Sequence, residues 1–514
     1  MRISNPLRFI LALLIAAIAL SAGLPRPSAG SSPSSTQPRR SLRLCEDCFT
    51  AADLRTQQNP ATANASRNAA LIAATADVLK ETSEIRQLPI LRPVQSSTQS
   101  RVEIERMLIR NLEEETTPAQ IHATEVTMKK LGLAPGDFQY RALMLRLLTE
   151  QVAGYYDPKT REFHLADWID LDGQKPIMAH ELTHALQDQH FNLRRFEHWP
   201  KGDSDAELAA HALIEGDATL AMTFYVAKNP LRALAFLKSL GATGMPSEEL
   251  DKAPRALRET LLFPYQEGIY WTRSLYQRGG WNGVSQAFTA LPQSTEQIMH
   301  PEKYFAHEGP VKVSLPDIAA LLNAGSAGGR GRGPGASREL GVRGQGAVVR
   351  HNLSLVTRHS SPSFLSPVPQ PPTAASAWRR LDSDVNGEWG FYLILDQFLK
   401  SPTESRRAAA GWGGDRYSVY EGPKGEVLYV SLSAWDTEND AREFFDAYVK
   451  RTELRYAKVE PLSSADSQPP APNSRTFRTS QGTVVIELRG NRVATIEGLA
   501  DRTDARPLLR AVWQ

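Results

Sequence analysis

The chain has 514 residues, which is long enough for two or three domains with separate hydrophobic cores. Hydrophobic residues make up 41% of the sequence and charged residues 23%, and both values are ordinary for a globular protein. The formal net charge of +2 gives no broad electrostatic attraction to nucleic acid, and no nucleic-acid-binding motif is present. A nucleic-acid partner is therefore not expected.

Residues 1–30 have the pattern of a secretory signal peptide. Arg2 and Arg8 supply positive charge before an apolar run over 9–20. The small residues at 21–23 suit cleavage of a signal peptide. The run is shorter than the roughly 20 residues that a membrane-spanning helix needs. We therefore expect a secreted or periplasmic protein, and the alternative is an uncleaved N-terminal membrane anchor.

Residues 31–87 form a leader whose first half is rich in Ser, Pro, Gln and Arg, which predicts disorder. Apolar spacing over 66–85 then indicates a helix. The two cysteines of the chain, Cys45 and Cys48, are predicted to form a local disulfide rather than a redox centre. Whether this leader is an inhibitory propeptide stays open.

Residues 88–324 are predicted to form a mainly helical domain. Apolar spacing indicates helices over 101–115 and 118–131, the second with a capping box at 117–120. Residues 155–165 have the pattern of two short strands around a Pro-containing turn. A strand at the edge of a sheet can pair with an extended peptide. His164, within the second predicted strand, is interpreted as an ordinary strand residue.

The segment at 180–184 reads H-E-x-x-H within an apolar helical pattern. Residues four apart lie on the same face of a helix, so His180 and His184 can direct their imidazoles at one point. Two imidazoles suit Zn²⁺, and Glu181 beside them can take a proton from a water molecule. The alternative is a chance match with two solvent-facing histidines. The apolar residues expected to bury this helix are Ala179, Leu182, Ala185 and Leu186.

A catalytic zinc site needs a third protein ligand, and two residues are candidates. Glu215 follows His184 at a distance that leaves room for a loop and a returning helix. His190 would fit the longer pattern H-E-x-x-H-x-x-G-x-x-H, but Gln187 occupies the glycine position and favours a continuing helix. We favour Glu215 and expect His190 to be a structural or outer-shell residue.

The returning helix is predicted over about 206–226. It carries Glu207, His211 and Glu215 at four-residue steps, which is unusual for an Ala/Leu-rich buried helix. His211 and Asp217 are candidates for orienting a ligand. Gly216 is expected to let this helix approach the H-E-x-x-H helix closely.

The motif H-E-x-x-H followed by E-x-x-A at 215–218 resembles the gluzincins, which are zinc metallopeptidases with a glutamate as third ligand. The chain more closely resembles an uncharacterised group of exported bacterial metallopeptidases with a helical N-terminal part. The matching segments are 150–158, 180–191, 294–298 and 300–304, within a region from roughly 90 to 310. The resemblance implies a zinc peptidase and gives no substrate.

A metallohydrolase also needs a hydrogen-bond donor near the developing oxyanion. His300, Tyr304 and His211 are the candidates, and the alternative for each is packing between subdomains. Residues 294–297 are expected to form a second capping box that starts a short helix ahead of them.

Residues 325–376 are rich in Gly, Arg, Ser and Pro, which predicts a linker. The final region, 377–514, is predicted to be a smaller α+β domain. Its expected elements include a strand at 427–435, a helix at 436–451 and a hairpin that turns at 490–491. Contact with the cell envelope through this domain is a further expectation.

These patterns and the resemblance together predict an α+β protein with a mainly helical catalytic domain and a small edge-strand sheet, and the resemblance implies that this domain is zincin-like. The predicted function is an exported zinc-dependent endopeptidase acting on a polypeptide substrate. Its Zn²⁺ ligands would be His180, His184 and Glu215, with Glu181 as the general base. The alternatives are a degenerate zinc-binding scaffold, a cell-envelope binding protein, or a zinc amidase acting on cell-wall peptides.

Overall fold

The computed structural model describes residues 60–151, 154–168, 171–196, 199, 202–234, 248–327, 377–462, 473–501 and 503–514. The predicted signal peptide, both cysteines and nearly all of the predicted linker lie outside these residues. No helix among the described residues is long and apolar enough to cross a membrane. The described chain is mixed α/β, with its large sheet in the C-terminal region.

Helices dominate the described chain up to residue 327. Their bounds are α1 Pro60–Arg86, α2 Arg101–Glu115, α3 Pro118–Leu131, α4 Tyr140–Gln151, α5 Leu171–Phe191, α6 Ser204–Ala227, α7 Glu248–Lys252, α8 Arg255–Ala287, α9 Thr295–Met299, α10 Pro301–Phe305 and α11 Ala319–Ala327. The helices predicted at 101–115 and 118–131 are confirmed. The helix predicted at 66–85 is also present, but it begins earlier, at Pro60.

Side-chain caps are present at both helix starts for which the sequence predicts a capping box. The Thr117 side chain accepts a hydrogen bond from the Gln120 N–H, and the Gln120 side chain accepts one from the Thr117 N–H, so the first predicted capping box is confirmed. The second predicted box is only half formed. Ser294 caps the Gln297 N–H, but the Gln297 side chain accepts from the Gln293 N–H instead of completing the box.

A three-stranded sheet lies beside α5. Its strands are β1 Gln95–Gln99, β2 Gly154–Asp157 and β3 Glu162–Ala166, in the order β1-β3-β2. β2 and β3 form the predicted antiparallel pair, and β1 joins β3 in parallel. β2 is therefore an edge of this sheet.

The H-E-x-x-H helix α5 packs against α1 and β3. Leu71 and Val78 of α1 and Phe163 of β3 share a buried cluster with Leu182 of α5. The four apolar residues predicted to bury α5 are all fully buried. Packing therefore continues across residue 88, where the sequence predicted a boundary between leader and domain.

Helix α6 packs along both α5 and α8, and α8 is interrupted by a kink at Gly279 and Gly280. The closest approach is between α6 and α8, because a Cβ on Gly216 would overlap the Gly268 carbonyl oxygen, and a Cβ on Gly268 would overlap that of Ala212. The prediction that Gly216 serves the approach to α5 is therefore wrong about the partner. The glycine faces α8, and this contact fixes the position of α6.

The C-terminal region contains a seven-stranded antiparallel sheet in the order β4-β5-β6-β10-β9-β8-β7. Its strands are β4 Arg379–Asp384, β5 Trp412–Glu421, β6 Val427–Trp435, β7 Val459–Pro461, β8 Ser474–Thr479, β9 Gly482–Arg489 and β10 Arg492–Leu499. Its helices are α12 Gly387–Leu399, α13 Pro402–Ala409, α14 Glu438–Arg455 and α15 Arg506–Val512. The predicted strand at 427–435 and the hairpin turning at 490–491 are confirmed.

A buried charge cluster attaches this region to α3. Glu497 of β10 pairs with Arg451 and Arg455 of α14, each at 2.5 Å. The same arginines donate to the carbonyls of Leu131, at 2.7 Å, and Lys130. These carbonyls belong to the end of α3, where a helix leaves its acceptors unsatisfied. Burial alone would raise the pKa of Glu497, but the two arginines lower it to about 2.

A second junction lies at the start of α6. The Ser204 N–H donates to Asp384 Oδ1 at 2.9 Å. Asp205 accepts from both the backbone N–H and the hydroxyl of Thr295, at 3.0 and 2.5 Å. The Thr295 hydroxyl oxygen in turn accepts from the Trp389 N–H at 3.2 Å. The helix that carries Glu215 is therefore anchored at its first turn by the C-terminal region.

Candidate metal centre

His180 and His184 lie one turn apart on α5 and face the same point. Their Nε2 atoms are 3.2 Å apart, and their rings are nearly perpendicular at 87°. The helix is buried on all sides here, and neither imidazole is more than 1% exposed. The predicted i, i+4 geometry is therefore present in the core of the helical region.

Glu215 on α6 supplies a third donor at this point. Its Oε2 lies 3.1 Å from His180 Nε2 and 3.4 Å from His184 Nε2. Two donors of a tetrahedral zinc site lie about 3.3–3.6 Å apart when each metal–donor distance is about 2.0–2.2 Å. The three donor–donor distances are 3.1, 3.2 and 3.4 Å, so all three lie within or close to the edge length of such a tetrahedron.

The residues around His184 determine its tautomer, and so which ring nitrogen carries the lone pair. Gln187 donates through Nε2 to the Ile214 carbonyl at 3.0 Å and to Asp217 Oδ2 at 2.9 Å. Its Oε1 must therefore face His184 Nδ1, 2.9 Å away, and accept a hydrogen bond from it. With the proton on Nδ1, the Nε2 lone pair of neutral His184 is directed at the shared point.

The three donors strongly affect one another's protonation. Burial lowers the pKa of His180. Burial acts the same way on His184, but the Glu215 carboxylate outweighs it and raises the pKa of His184 to about 9. Burial would raise the pKa of Glu215, whereas the charge of His184 lowers it. A proton and a metal cation therefore compete for the same donors, as in metal sites generally.

Glu181 is fully buried beside the three donors and interacts electrostatically with His184 and Glu215. Its Oε2 accepts a hydrogen bond from the Tyr156 N–H on edge strand β2 at 3.0 Å. Its Oε1 accepts no hydrogen bond from the residues that the structure describes. Burial raises the pKa of Glu181 to about 8, and a divalent cation beside it would lower that value.

A chain of polar contacts extends outward from His184. Asp217 accepts from Gln187 through Oδ2 and from Arg86 Nε through Oδ1, the latter at 2.5 Å. Arg86 is the last residue of α1 and is fully buried. Asp217 was predicted to orient a ligand, and the structure places it one residue removed from His184, behind Gln187.

The other predicted site residues have partners away from the three donors. His190 is bonded to the Pro89 carbonyl at 2.7 Å, and His300 to Glu388 at 2.9 Å. The Tyr304 hydroxyl donates to the Ala290 carbonyl at 2.7 Å.

Two further histidines were singled out from the sequence. His211 is buried on α6, one turn before Glu215. His164 lies in β3, where its Nδ1 is 2.8 Å from the Ser97 hydroxyl, as expected for a strand residue.

Three residues at the site were not singled out from the sequence. For Gln187 the sequence predicts only a residue that continues the helix. Arg86 lies far from the motif along the chain, and Tyr156 contributes a backbone N–H that no side-chain pattern reveals. Of these, only Gln187 had a usable signal, because it lies three residues after His184 on the same helical face.

Comparison with known proteins covers only the C-terminal region. Residues 376–508 match a family described as a domain of unknown function, DUF8575. This stretch does not include His180, Glu181, His184 or Glu215. No curated protein and no solved structure matches the chain. A function is therefore inferred from the geometry of the metal centre.

Proposed function

We propose that this protein is an exported zinc-dependent endopeptidase that hydrolyses peptide bonds in polypeptide substrates. The observation that carries the proposal is the convergence of His180 Nε2, His184 Nε2 and Glu215 Oε2 at tetrahedral spacing, with Glu181 next to His180. Two histidines, a glutamate and an adjacent carboxyl are the groups that metal-assisted peptide hydrolysis requires.

The donor set suits Zn²⁺ better than a harder cation. Two imidazole nitrogens and one carboxylate oxygen are ordinary zinc ligands, whereas Mg²⁺ and Ca²⁺ prefer oxygen donors. Three protein ligands also match a catalytic site, because structural zinc sites usually have four. When bound, Zn²⁺ would act as a Lewis acid that lowers the pKa of water and polarises the scissile carbonyl.

Glu181 is the proposed general base and subsequent proton donor to the leaving amine. α5 fixes its position relative to the donors because it directly follows His180. One of its oxygens is held by the Tyr156 N–H, while the other has no hydrogen-bond partner among the described residues. The second oxygen is thus the one available for proton transfer.

A zincin-like architecture is part of the proposal. The H-E-x-x-H helix lies beside a small sheet, and the third donor comes from the helix that follows. Edge strand β2 contacts the proposed base through the Tyr156 backbone. An extended peptide added to this edge would lie beside the catalytic groups.

One observation favours a second candidate, a zinc-binding protein without peptidase activity. His180, Glu181, His184 and Glu215 are each at most 1% exposed. A catalytic zinc ion needs a coordination position that water and substrate can reach. The peptidase function therefore requires a conformational change that exposes these four residues. A buried scaffold would not need Glu181, and this carboxyl therefore supports the peptidase.

The test measures hydrolysis by the purified chain of casein, a peptide library and cell-wall peptides, before and after chelation. The proposal expects turnover of casein or library peptides that disappears with the chelator and returns with added Zn²⁺. Turnover restricted to amide bonds of cell-wall peptides would support the amidase instead. Bound zinc without any turnover would support the scaffold.

A further inference from the structure

We propose that Arg86 is a positioning residue for the metal site, so that helix α1 is an essential part of the functional protein. This inference rests on the proposed zinc chemistry. Arg86 is the last residue of α1 and is fully buried against α6 and α8. It reaches the site through Asp217, which lies 131 positions later in the chain.

Three hydrogen bonds, through Asp217 and Gln187, connect Arg86 of α1 to His184. Arg86 Nε donates to Asp217 Oδ1 at 2.5 Å. Asp217 Oδ2 accepts from Gln187 Nε2 at 2.9 Å, and Gln187 Oε1 accepts from His184 Nδ1 at 2.9 Å. Arg86 binds one oxygen of the Asp217 carboxylate and Gln187 binds the other. The position of the guanidinium group therefore sets which carboxylate oxygen faces Gln187.

The orientation of the Gln187 amide is the step that matters for the metal. If the Gln187 amide flipped, so that its oxygen and nitrogen exchanged places, its NH₂ group would face His184 Nδ1. His184 would then favour the tautomer with the proton on Nε2. That proton would occupy the direction of the shared point. The amide keeps its oxygen toward His184 because two acceptors, Asp217 Oδ2 and the Ile214 carbonyl, hold its nitrogen. Arg86 holds the first of these acceptors in place.

Stability alone does not account for Arg86. A buried ion pair is often no more stabilising than apolar residues of similar volume. Arg86 also donates to the Ser285 hydroxyl at 3.1 Å and lies over the Trp281 ring at 4.7 Å. Its Nη2 nevertheless finds no hydrogen-bond acceptor in the described part of the chain. The shortest of its hydrogen bonds is the one to Asp217, at 2.5 Å.

A second, partly exposed ion pair on α1 provides a control. Arg232 contacts Glu81 of α1 through two nitrogens, each at 2.8 Å. This pair also holds α1 against the helical core, but none of its contacts within the described part of the chain leads to His184. Replacing Arg232 tests loosening of α1 without touching the contacts from Arg86 to the site.

The experiment compares the purified full chain with Arg86→Met and Arg232→Met. Zinc affinity is measured by competition with a chromophoric chelator, and ligand geometry by the visible spectrum of the Co²⁺-loaded protein. Loss of a group bonded directly to a metal ligand usually weakens metal binding roughly 10–100-fold, and because Arg86 acts through two intervening residues a loss of about tenfold is expected. We expect that loss and an altered Co²⁺ spectrum for Arg86→Met, and wild-type values for Arg232→Met.

The double variant Arg86→Met/Asp217→Asn separates positioning from folding. It removes both charges of the Arg86–Asp217 pair, so it should fold even where Arg86→Met alone does not. We expect its zinc affinity to stay roughly tenfold or more below wild type. Zinc affinity and a Co²⁺ spectrum like those of the wild type, in either Arg86 variant, would overturn the inference.

The inference and the proposed function fail in different ways. If the wild-type chain binds no zinc, the proposed function is wrong. If the wild type binds zinc and the Arg86 variants bind it equally well, only the role of Arg86 is wrong. The inference also has a consequence for processing, since a form cleaved between α1 and β1 and separated from α1 should lose zinc affinity.

Discussion

The junction between the C-terminal region and α3 leads to a prediction about the Glu497→Gln variant. Glu497 is fully buried and is the shared partner of Arg451 and Arg455. The substitution keeps the shape of the side chain but removes its charge. Both guanidinium groups would then stay buried without their counter-ion, which is strongly destabilising.

The size of the effect follows from the pKa of this carboxyl. A pKa of about 2 in place of an ordinary 4.5 corresponds to about 3 kcal/mol of stabilisation, at about 1.4 kcal/mol per pKa unit. Because folding lowers this pKa, the stabilisation is fully present above pH ~4.5 and is lost as the pH falls towards 2. Glu497→Gln should therefore cost about 3 kcal/mol at pH 7, and the difference from wild type should shrink below pH ~4.5.

Urea unfolding at pH 7 and at pH 3, followed by tryptophan fluorescence, measures both quantities. Glu460→Gln is the matched control, because Glu460 pairs with Arg478 on the surface of the same region and is 66% exposed. That variant should lie within about 0.5 kcal/mol of wild type. A Glu497→Gln variant as stable as wild type at pH 7, or a difference that does not depend on pH, would refute the reasoning.

Two further predictions concern the donor set and its support. Glu215→Gln should abolish stoichiometric zinc binding. His190→Ala should retain zinc, because His190 is bonded to the Pro89 carbonyl and not directed at the three donors. A zinc titration with the opposite order would reject Glu215 as the third ligand. Gly216→Ala should destabilise the fold by about 1–3 kcal/mol and weaken zinc binding, because the new Cβ overlaps the Gly268 carbonyl. Unchanged urea unfolding and zinc titration would show that α6 and α8 are not in this close contact.

The local parts of the candidate site were predictable from the sequence. The four-residue spacing of His180 and His184 is close to one helical turn, so a single helix brings both imidazoles together. Glu215 required one more step, because a returning helix had to be assumed. Its three-donor contact is present in the structure, and its role as a zinc ligand stays a prediction.

The long-range parts were not predictable. Gly216 was expected to face α5 but faces Gly268 of α8, since a small residue signals a close approach without naming the partner. Arg86 and Asp217 form a pair between distant segments, and no periodicity marks such a contact. Gln187 was judged by its backbone preference, while its amide group turned out to be the feature that contacts His184.

The most direct test of the central claim is the Glu181→Gln variant, which changes the proposed base and leaves all three donors in place. Zinc content and hydrolysis of the best casein or library peptide are measured on the same preparations of variant and wild type. The proposal predicts one zinc ion per chain in both proteins and loss of nearly all turnover in the variant. A zinc-loaded variant that hydrolyses the peptide as fast as wild type would contradict it.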